Sequence, residues 1–365
     1  VPTDQDAPLS SRRDAPSWRG RTGAWLSVIA LASACGGSDR PKSEPLGRLP
    51  TAVTTAEPEW LPFAIRAGSR CEEDPRERHL GELRTFDVGG DVARAAFSPD
   101  GHAIALEARL SGDERSQVYV MNLGTGALHR ASVSTVDATS PHFTPSGDRL
   151  LFAEASPAGR RVVEVPVGGG PAREIVSADA TDPAPLGDGS GVVFVRAEAG
   201  KADLFVQPLG GLGPLHALLR EPRFDESSPA LSPDRTRIAW IARTARASVL
   251  WTAHLPGAGG EARAVEALST DLESVRTPSF LPDARRLAFA SDRDDPASQI
   301  YVVDLDERFG PGAPPRSTRI TFAEGGSEAP TFSSDGRHVA FVSRRNVHRA
   351  PAERRLFVAR WVEDP

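Results

Sequence analysis

The chain has 365 residues, with 43 Lys and Arg against 49 Asp and Glu, a formal net charge of -6 and 39% hydrophobic residues. That balance fits a soluble globular body, carries no basic stripe of the kind a nucleic-acid partner requires, and holds no apolar run of 18 residues to cross a bilayer. Two cysteines, Cys35 and Cys71, make neither a disulfide framework nor a CxxC zinc pair, while 33 Gly and 32 Pro point to many turns and therefore many short strands.

In chain order, the first feature is the apolar stretch at residues 23–34 (GAWLSVIALASA), preceded by Arg12, Arg13, Arg19 and Arg21. A basic segment, a short apolar core and small residues before a cleavage point make a secretory signal. Ala32-Ser33-Ala34-Cys35 resembles the lipobox of bacterial lipoproteins, with Ala32 where that family prefers Leu. The resemblance implies that the Cys35 thiol carries a diacylglyceryl group and becomes the mature N-terminus. Gly36, standing where an inner-membrane retention signal has Asp, implies the outer membrane. The other reading is an ordinary secretory signal that ends near a cysteine. Residues 36–80 are rich in Pro, Gly, Ser and charge and read as a tether. Trp60-Leu61-Pro62-Phe63 in it is either a clasp onto the body or part of a solvated linker. The expected organisation is thus a signal at 1–35, a tether at 36–80 and a body at 81–365.

The body repeats. Phe97-Ser98-Pro99-Asp100-Gly101 has relatives ending at positions 147, 189, 235, 284 and 336, so the spacings are 46, 42, 46, 49 and 52. Each copy sets a Pro two residues ahead of it (Pro141, Pro183, Pro229, Pro278, Pro330; Ala95 in the first). A tight turn follows, then an apolar run such as Ile104-Ala105-Leu106 or Val339-Ala340-Phe341, then a second such as Val118-Tyr119-Val120. Short apolar runs of this kind suit strands covered on both faces. A period of 40–50 residues with four strands is that of a propeller blade. The sixth copy lacks a fourth strand, and Arg84-Thr85-Phe86 lies as far before Phe97 as Arg319 lies before Phe332. The expected fold is all-β: a six-bladed β-propeller whose N-terminal strand closes the last blade.

The pattern P-x-[FL]-[ST]-P-D-G, an apolar strand and [SQ]-[IV]-Y-V resembles the WD-repeat-like, TolB-type propeller, as does Ser291-Asp292-Arg293. The resemblance covers about 280 residues. TolB itself has an α/β domain ahead of its propeller, and the polar stretch between Cys35 and Leu83 is too short for one. Similar propellers also precede hydrolase domains in prolyl-oligopeptidase-type peptidases, but no G-x-S-x-G elbow occurs in this sequence.

Four residues before each Pro position stand Asp91, Asp137, Asp179, Asp225, Ser274 and Gly326. With Asp182, Glu226, Glu273, Glu324 and Glu328 they predict an acidic funnel on one propeller face, interrupted by Arg94 and Arg276. Two readings stand: the aspartates cap turns for structure, or the face (Asp91, Asp137, Asp179, Asp182, Asp225, Glu226, Glu273, Glu328) binds a cationic segment or a metal ion. The eight histidines form no HxH or HExxH pattern. Tyr119 and Tyr301 share a strand position and read as packing; Arg344, Arg345, Arg349, Arg354 and Arg355 read as a solvated basic loop. The functional expectation is a monomeric, non-catalytic scaffold without cofactor, lipid-anchored at the cell envelope on its periplasmic or outer side, that binds a protein or peptide. The alternative is a propeller lyase or hydrolase with a divalent cation at the channel mouth.

Overall fold

The computed structural model describes residues 67–132, 135–177, 179–211, 213–244, 247–255, 262–269, 274–307, 315–345 and 353–363. Two strands come first, β1 (Ser69–Arg70) and β2 (Leu80–Phe86). Blade one is β3 (Gly90–Phe97), β4 (Ala103–Leu110), β5 (Gln117–Asn122) and β6 (Leu128–Arg130). Blade two is β7 (Ala138–Phe143), β8 (Arg149–Ser156), β9 (Gly159–Pro166) and β10 (Arg173–Val176). Blade three is β11 (Ala180–Pro185), β12 (Gly191–Glu198), β13 (Lys201–Pro208) and β14 (His216–Leu219). Blade four is β15 (Asp225–Leu231), β16 (Arg237–Arg243), β17 (Ser248–His254) and β18 (Arg263–Ala267). Blade five is β19 (Val275–Phe280), β20 (Arg286–Ser291), β21 (Gln299–Asp304) and β22 (Ser317–Arg319). Blade six is β23 (Ser327–Phe332), β24 (His338–Ser343) and β25 (Arg355–Trp361). Each blade is an antiparallel meander, and β2 and β1 extend the sixth into a sheet of order β1-β2-β25-β24-β23.

The turn into each second strand is fixed by side chains. Ser98 Oγ donates to Asp100 Oδ1 at 2.6 Å and accepts from the Ala103 amide at 2.9 Å, and the His102 amide donates to Asp100 at 3.0 Å. Ser232 with Asp234 and Ser333 with Asp335 repeat the bond at 2.6 Å. The fifth turn position needs positive φ: Gly101 has +72°, and Arg235 and Ala284 adopt 62° and 58° where Gly is missing.

The innermost strands explain the repeated Pro. Each pairs on one edge only, so a residue without an N–H is tolerated there. The ladder register shifts around this point in every blade, as between Thr139 and His142. In five blades the residue before Pro takes positive φ: Ser140 56°, Asp182 46°, Ser228 52°, Thr277 47° and Ala329 51°. These bulges bend the strand along the channel.

Six separate apolar clusters fill the six seams between neighbouring blades. Phe152, Phe194, Phe289, Phe341 and Phe357 are among the largest fully buried side chains. Both faces of the middle strands are therefore covered, which is why those strands read as unbroken apolar runs.

β2 pairs antiparallel with β25, from Leu80 opposite Trp361 to Phe86 opposite Leu356. Trp361 stacks on His79 at 5.0 Å and meets Phe332 edge-on at 5.3 Å. Residues ahead of the expected boundary at 81 already pair with the ring. Ser69 and Arg70 pair with Thr85 and Arg84, and the Cys71 amide bonds Leu83 O at 2.9 Å. Glu77, read as tether, is only 3% exposed and bonds Arg345 at 2.7 and 2.9 Å. Arg345 is 8% exposed, with its guanidinium 5.0 Å from the Phe341 ring and 5.2 Å from Phe357. This corrects the reading of a solvated basic loop: a long stem on aromatic rings is buried once its charge has a carboxylate partner. The signal, Cys35, residues 36–66 with Trp60–Phe63, and Arg349 lie outside the described residues.

Candidate functional site in the channel

The inner strands of all six blades contribute to a cavity of about 250 Å³ in the channel. The residues one place before the Pro position form its ring: Arg94, Ser140, Asp182, Ser228, Thr277 and Ala329. Only blades one and three put a charge there. Arg94 Nη1 reaches past blade two to within 3.7 Å of Asp182 Oδ1. Asp182 also accepts from Ser140 Oγ at 2.6 Å and from the Ser228 amide at 3.3 Å. Burial pushes the Asp182 carboxyl up, but Arg94, the Ser140 hydroxyl and the Ser228 amide outweigh it and hold it below the ordinary carboxylate range. Glu107 of β4 accepts from the Ser140 amide at 2.9 Å and lies 3.9 Å from Arg94 Nε. Burial raises its pKa, and Arg94 only partly counters that. His142, also in the wall, is pushed down to about 4 by burial and by Arg94. On the opposite side Thr277 Oγ1 accepts from the Ala329 amide at 3.2 Å, without charge. One wall of the channel is thus a polar, mixed-charge cleft and the other is small and neutral.

The acidic residues expected on one face occupy three environments. Asp182 lines the cavity. Asp91, Asp137 and Asp225 reach back to the preceding blade and cap the start of its third strand. Asp137 Oδ1 accepts from the Ser116 amide at 3.1 Å and Asp225 Oδ1 from the Ala202 amide at 3.1 Å. Asp91 accepts from the Arg354 amide at 2.8 Å and from its Nε at 3.1 Å and Nη2 at 2.5 Å. Burial raises the Asp91 pKa, yet the Arg354 contacts bring it below normal. Asp179 is exposed and holds its Oδ1 against Gly159. Gly326 replaces the aspartate in blade six because a Cβ there would collide with the Ala297 carbonyl. Glu226 is the third case, buried to 1% exposure in the seam of blades three and four. Glu328 pairs with Arg276 at 3.4 Å, and Glu273 lies outside the described residues. Each clamp crosses a seam, whereas the sequence suggested a cap within the turn. Nothing local in the sequence marks a partner in the preceding blade.

Tyr119 and Tyr301 do more than pack: their hydroxyls donate to Asp113 at 2.6 Å and Asp294 at 2.8 Å, on the outer side of blades one and five. Among the described residues, no group of three or more His, Cys, Asp and Glu is placed to hold a metal ion. The residue that sequence reasoning set aside was Arg94, counted as an exception to an acidic face. Its signal was the ring position itself, where the other blades have Ser, Asp, Ser, Thr and Ala.

No curated protein matches the chain in sequence. Among solved structures, a protein assigned as TolB in Agrobacterium tumefaciens superposes with a TM-score of 0.54 at 19% identity, covering 67% of this chain and 84% of its own. The hydrazine synthase of Kuenenia stuttgartiensis gives 0.52 at 15% identity, over 70% of this chain and 74% of its own. A puromycin hydrolase gives 0.50 at 16% identity over 71% of this chain, which spans 51% of that enzyme. At such identities the likeness is one of fold alone. The family model described as the TolB beta propeller domain matches residues 84–258 and 219–349. Six blades, their repeated turn and this match together place the chain in the TolB beta propeller domain family.

Proposed function

We propose that this chain is a non-catalytic binding protein of the cell envelope that takes a side chain or chain end of a protein or peptide partner into its channel. The observation that carries the reading is the size and wall of the cavity. At about 250 Å³ it falls below the usual range of roughly 300–1,000 Å³ for pockets that enclose a whole small molecule. A cavity that small suits one group belonging to a larger ligand, with the blade loops meeting the rest. The Arg94–Asp182 cleft supplies both signs of charge to orient that group. The signal at 1–35 and the acyl acceptor Cys35 belong to the same proposal, with the propeller held at the membrane by lipid alone.

The test is affinity capture of envelope proteins on the full-length protein, beside Arg94→Ala and Asp182→Asn. A partner recovered by the wild type and lost by both variants, with melting temperatures unchanged, supports the reading. Equal recovery on all three removes the channel from it. Metabolic labelling with a radioactive fatty acid tests the anchor: Cys35→Ser should carry no label.

A further inference from the structure

Glu226 sits two residues into β15, and in the other five blades the matching residue is Val92, Ala138, Ala180, Val275 or Ser327, all buried. A repeat that keeps this position small and apolar or hydroxylic has a carboxyl group in one blade only. Its side chain is fully buried, and neither carboxyl oxygen has a hydrogen-bond partner among the described residues. Lys201 Nζ lies 3.6 Å from Oε2, but the same ammonium is bonded to the buried carboxylate of Asp203. One cation, itself partly exposed, therefore serves two buried carboxyl groups. If both ionised, the cluster would hold an unbalanced buried charge, which costs far more than a surface one. Two carboxyls sharing a site resolve this by keeping one protonated.

We infer that the seam between blades three and four is a proton-operated latch, closed when Glu226 carries a proton and strained when it loses it. This goes beyond the binding reading and does not depend on it. Burial, with Asp203 beside it, pushes the Glu226 pKa up to about 8 despite Lys201. The charged groups on the elements packed against β15 leave this balance in place. β13 carries Lys201 and Asp203, and Arg196 and Glu198 of β12 pair with those two in register. β16 carries Arg243 opposite Asp225, β11 carries Asp182 and β19 carries Arg276. The latch reaches the channel through its own strand. Ser228, two residues on, donates its amide to Asp182 of blade three, so a shift of β15 moves the wall of the cavity.

The sign follows from linkage. The folded protein holds a proton on Glu226 between the unfolded pKa, near 4.5, and about 8, so its stability falls as pH rises through that window. Glu226→Gln mimics the protonated form and has no such dependence. Urea unfolding from pH 5 to pH 9 should show the wild-type unfolding constant rising relative to the variant by about tenfold per pH unit up to pH 8, then levelling. Hydrogen exchange should show the Ser228 amide losing protection above pH 8 in the wild type but not in Glu226→Gln. Carbon-13 NMR of the Glu226 carboxyl needs no variant, and a midpoint well above pH 6 is expected. Parallel stability curves for the two proteins, or a carboxyl midpoint below pH 5, would overturn the latch and make the cluster an ordinary ion pair.

Discussion

Replacing Glu77 with alanine should weaken the whole propeller, although the residue lies before its first blade. Three contacts go at once: the two Arg345 bonds at 2.7 and 2.9 Å and the bond from the Phe322 amide at 2.8 Å. Arg345 is then left charged and buried over the Phe341 and Phe357 rings, with Ser327 Oγ at 3.2 Å and Ser343 Oγ at 3.4 Å as its remaining side-chain hydrogen bonds among the described residues. Removing one partner of a buried pair costs about 3–5 kcal/mol, and a stranded amide adds about 1 kcal/mol. The expected loss is therefore about 5 kcal/mol, a large share of the 5–15 kcal/mol typical of a folded domain. Arg345→Met should cost about the same on its own, since it strands Glu77. The double variant Glu77→Ala with Arg345→Met removes both charges and should cost about 3 kcal/mol less than the two single losses together. Urea denaturation at pH 7 on all four proteins measures the cycle. Single losses below about 1 kcal/mol, or strictly additive ones, would refute the view that this pair holds residues 67–80 onto the ring.

Other outcomes follow from the same contacts. Asp91→Ala, which strips three bonds to Arg354, should destabilise by about 2 kcal/mol in denaturant, more than Asp137→Ala, which loses one amide bond and a weak 3.5 Å contact with Arg115. His142, held at about 4, stays neutral in the folded protein while the unfolded chain takes up a proton below 6.5. Its contribution is full above pH 6.5 and is lost as pH falls towards 4, about 3 kcal/mol in all, and His142→Gln should flatten that part of the stability profile. Tyr119→Phe and Tyr301→Phe should each cost about 1 kcal/mol by thermal melting, and nearly equally, because both lose a single phenol–carboxylate bond at one repeated position.

The blade count could be read from the sequence because the turn signal is chemical as well as repetitive. Ser98, Asp100 and Gly101 each have a bonding or backbone reason to recur, so their relatives stand out even where Arg235 or Ala284 replaces Gly. The apolar runs were legible for the same reason, since both faces of a blade are covered. Residues whose partners come from far along the chain were not legible. Glu77 looks like any acidic residue in a polar, Pro-rich stretch, and only the fold brings it to Arg345, 268 positions away. The clamp aspartates were found by their period, but the period cannot say that their partners lie in the preceding blade. The sequence places Glu226 with Asp225 in an acidic funnel, yet successive strand residues face opposite ways, and Asp225 is exposed while Glu226 is buried.

Pairing β2 with β25 also sets a timetable for synthesis. Among the described residues β2 is the second strand to be made, and the strand it must join is the last. From Phe86 to Arg355 roughly 270 residues intervene, which at about 5–20 residues per second is roughly fifteen seconds to a minute of waiting. Throughout that interval Leu80 and Leu83, which pack against blades five and six, have no partner to cover them, and an uncovered strand edge is prone to aggregate. A holding factor, or a translocation route, would serve the nascent chain by keeping β2 from the wrong neighbour before the right one exists.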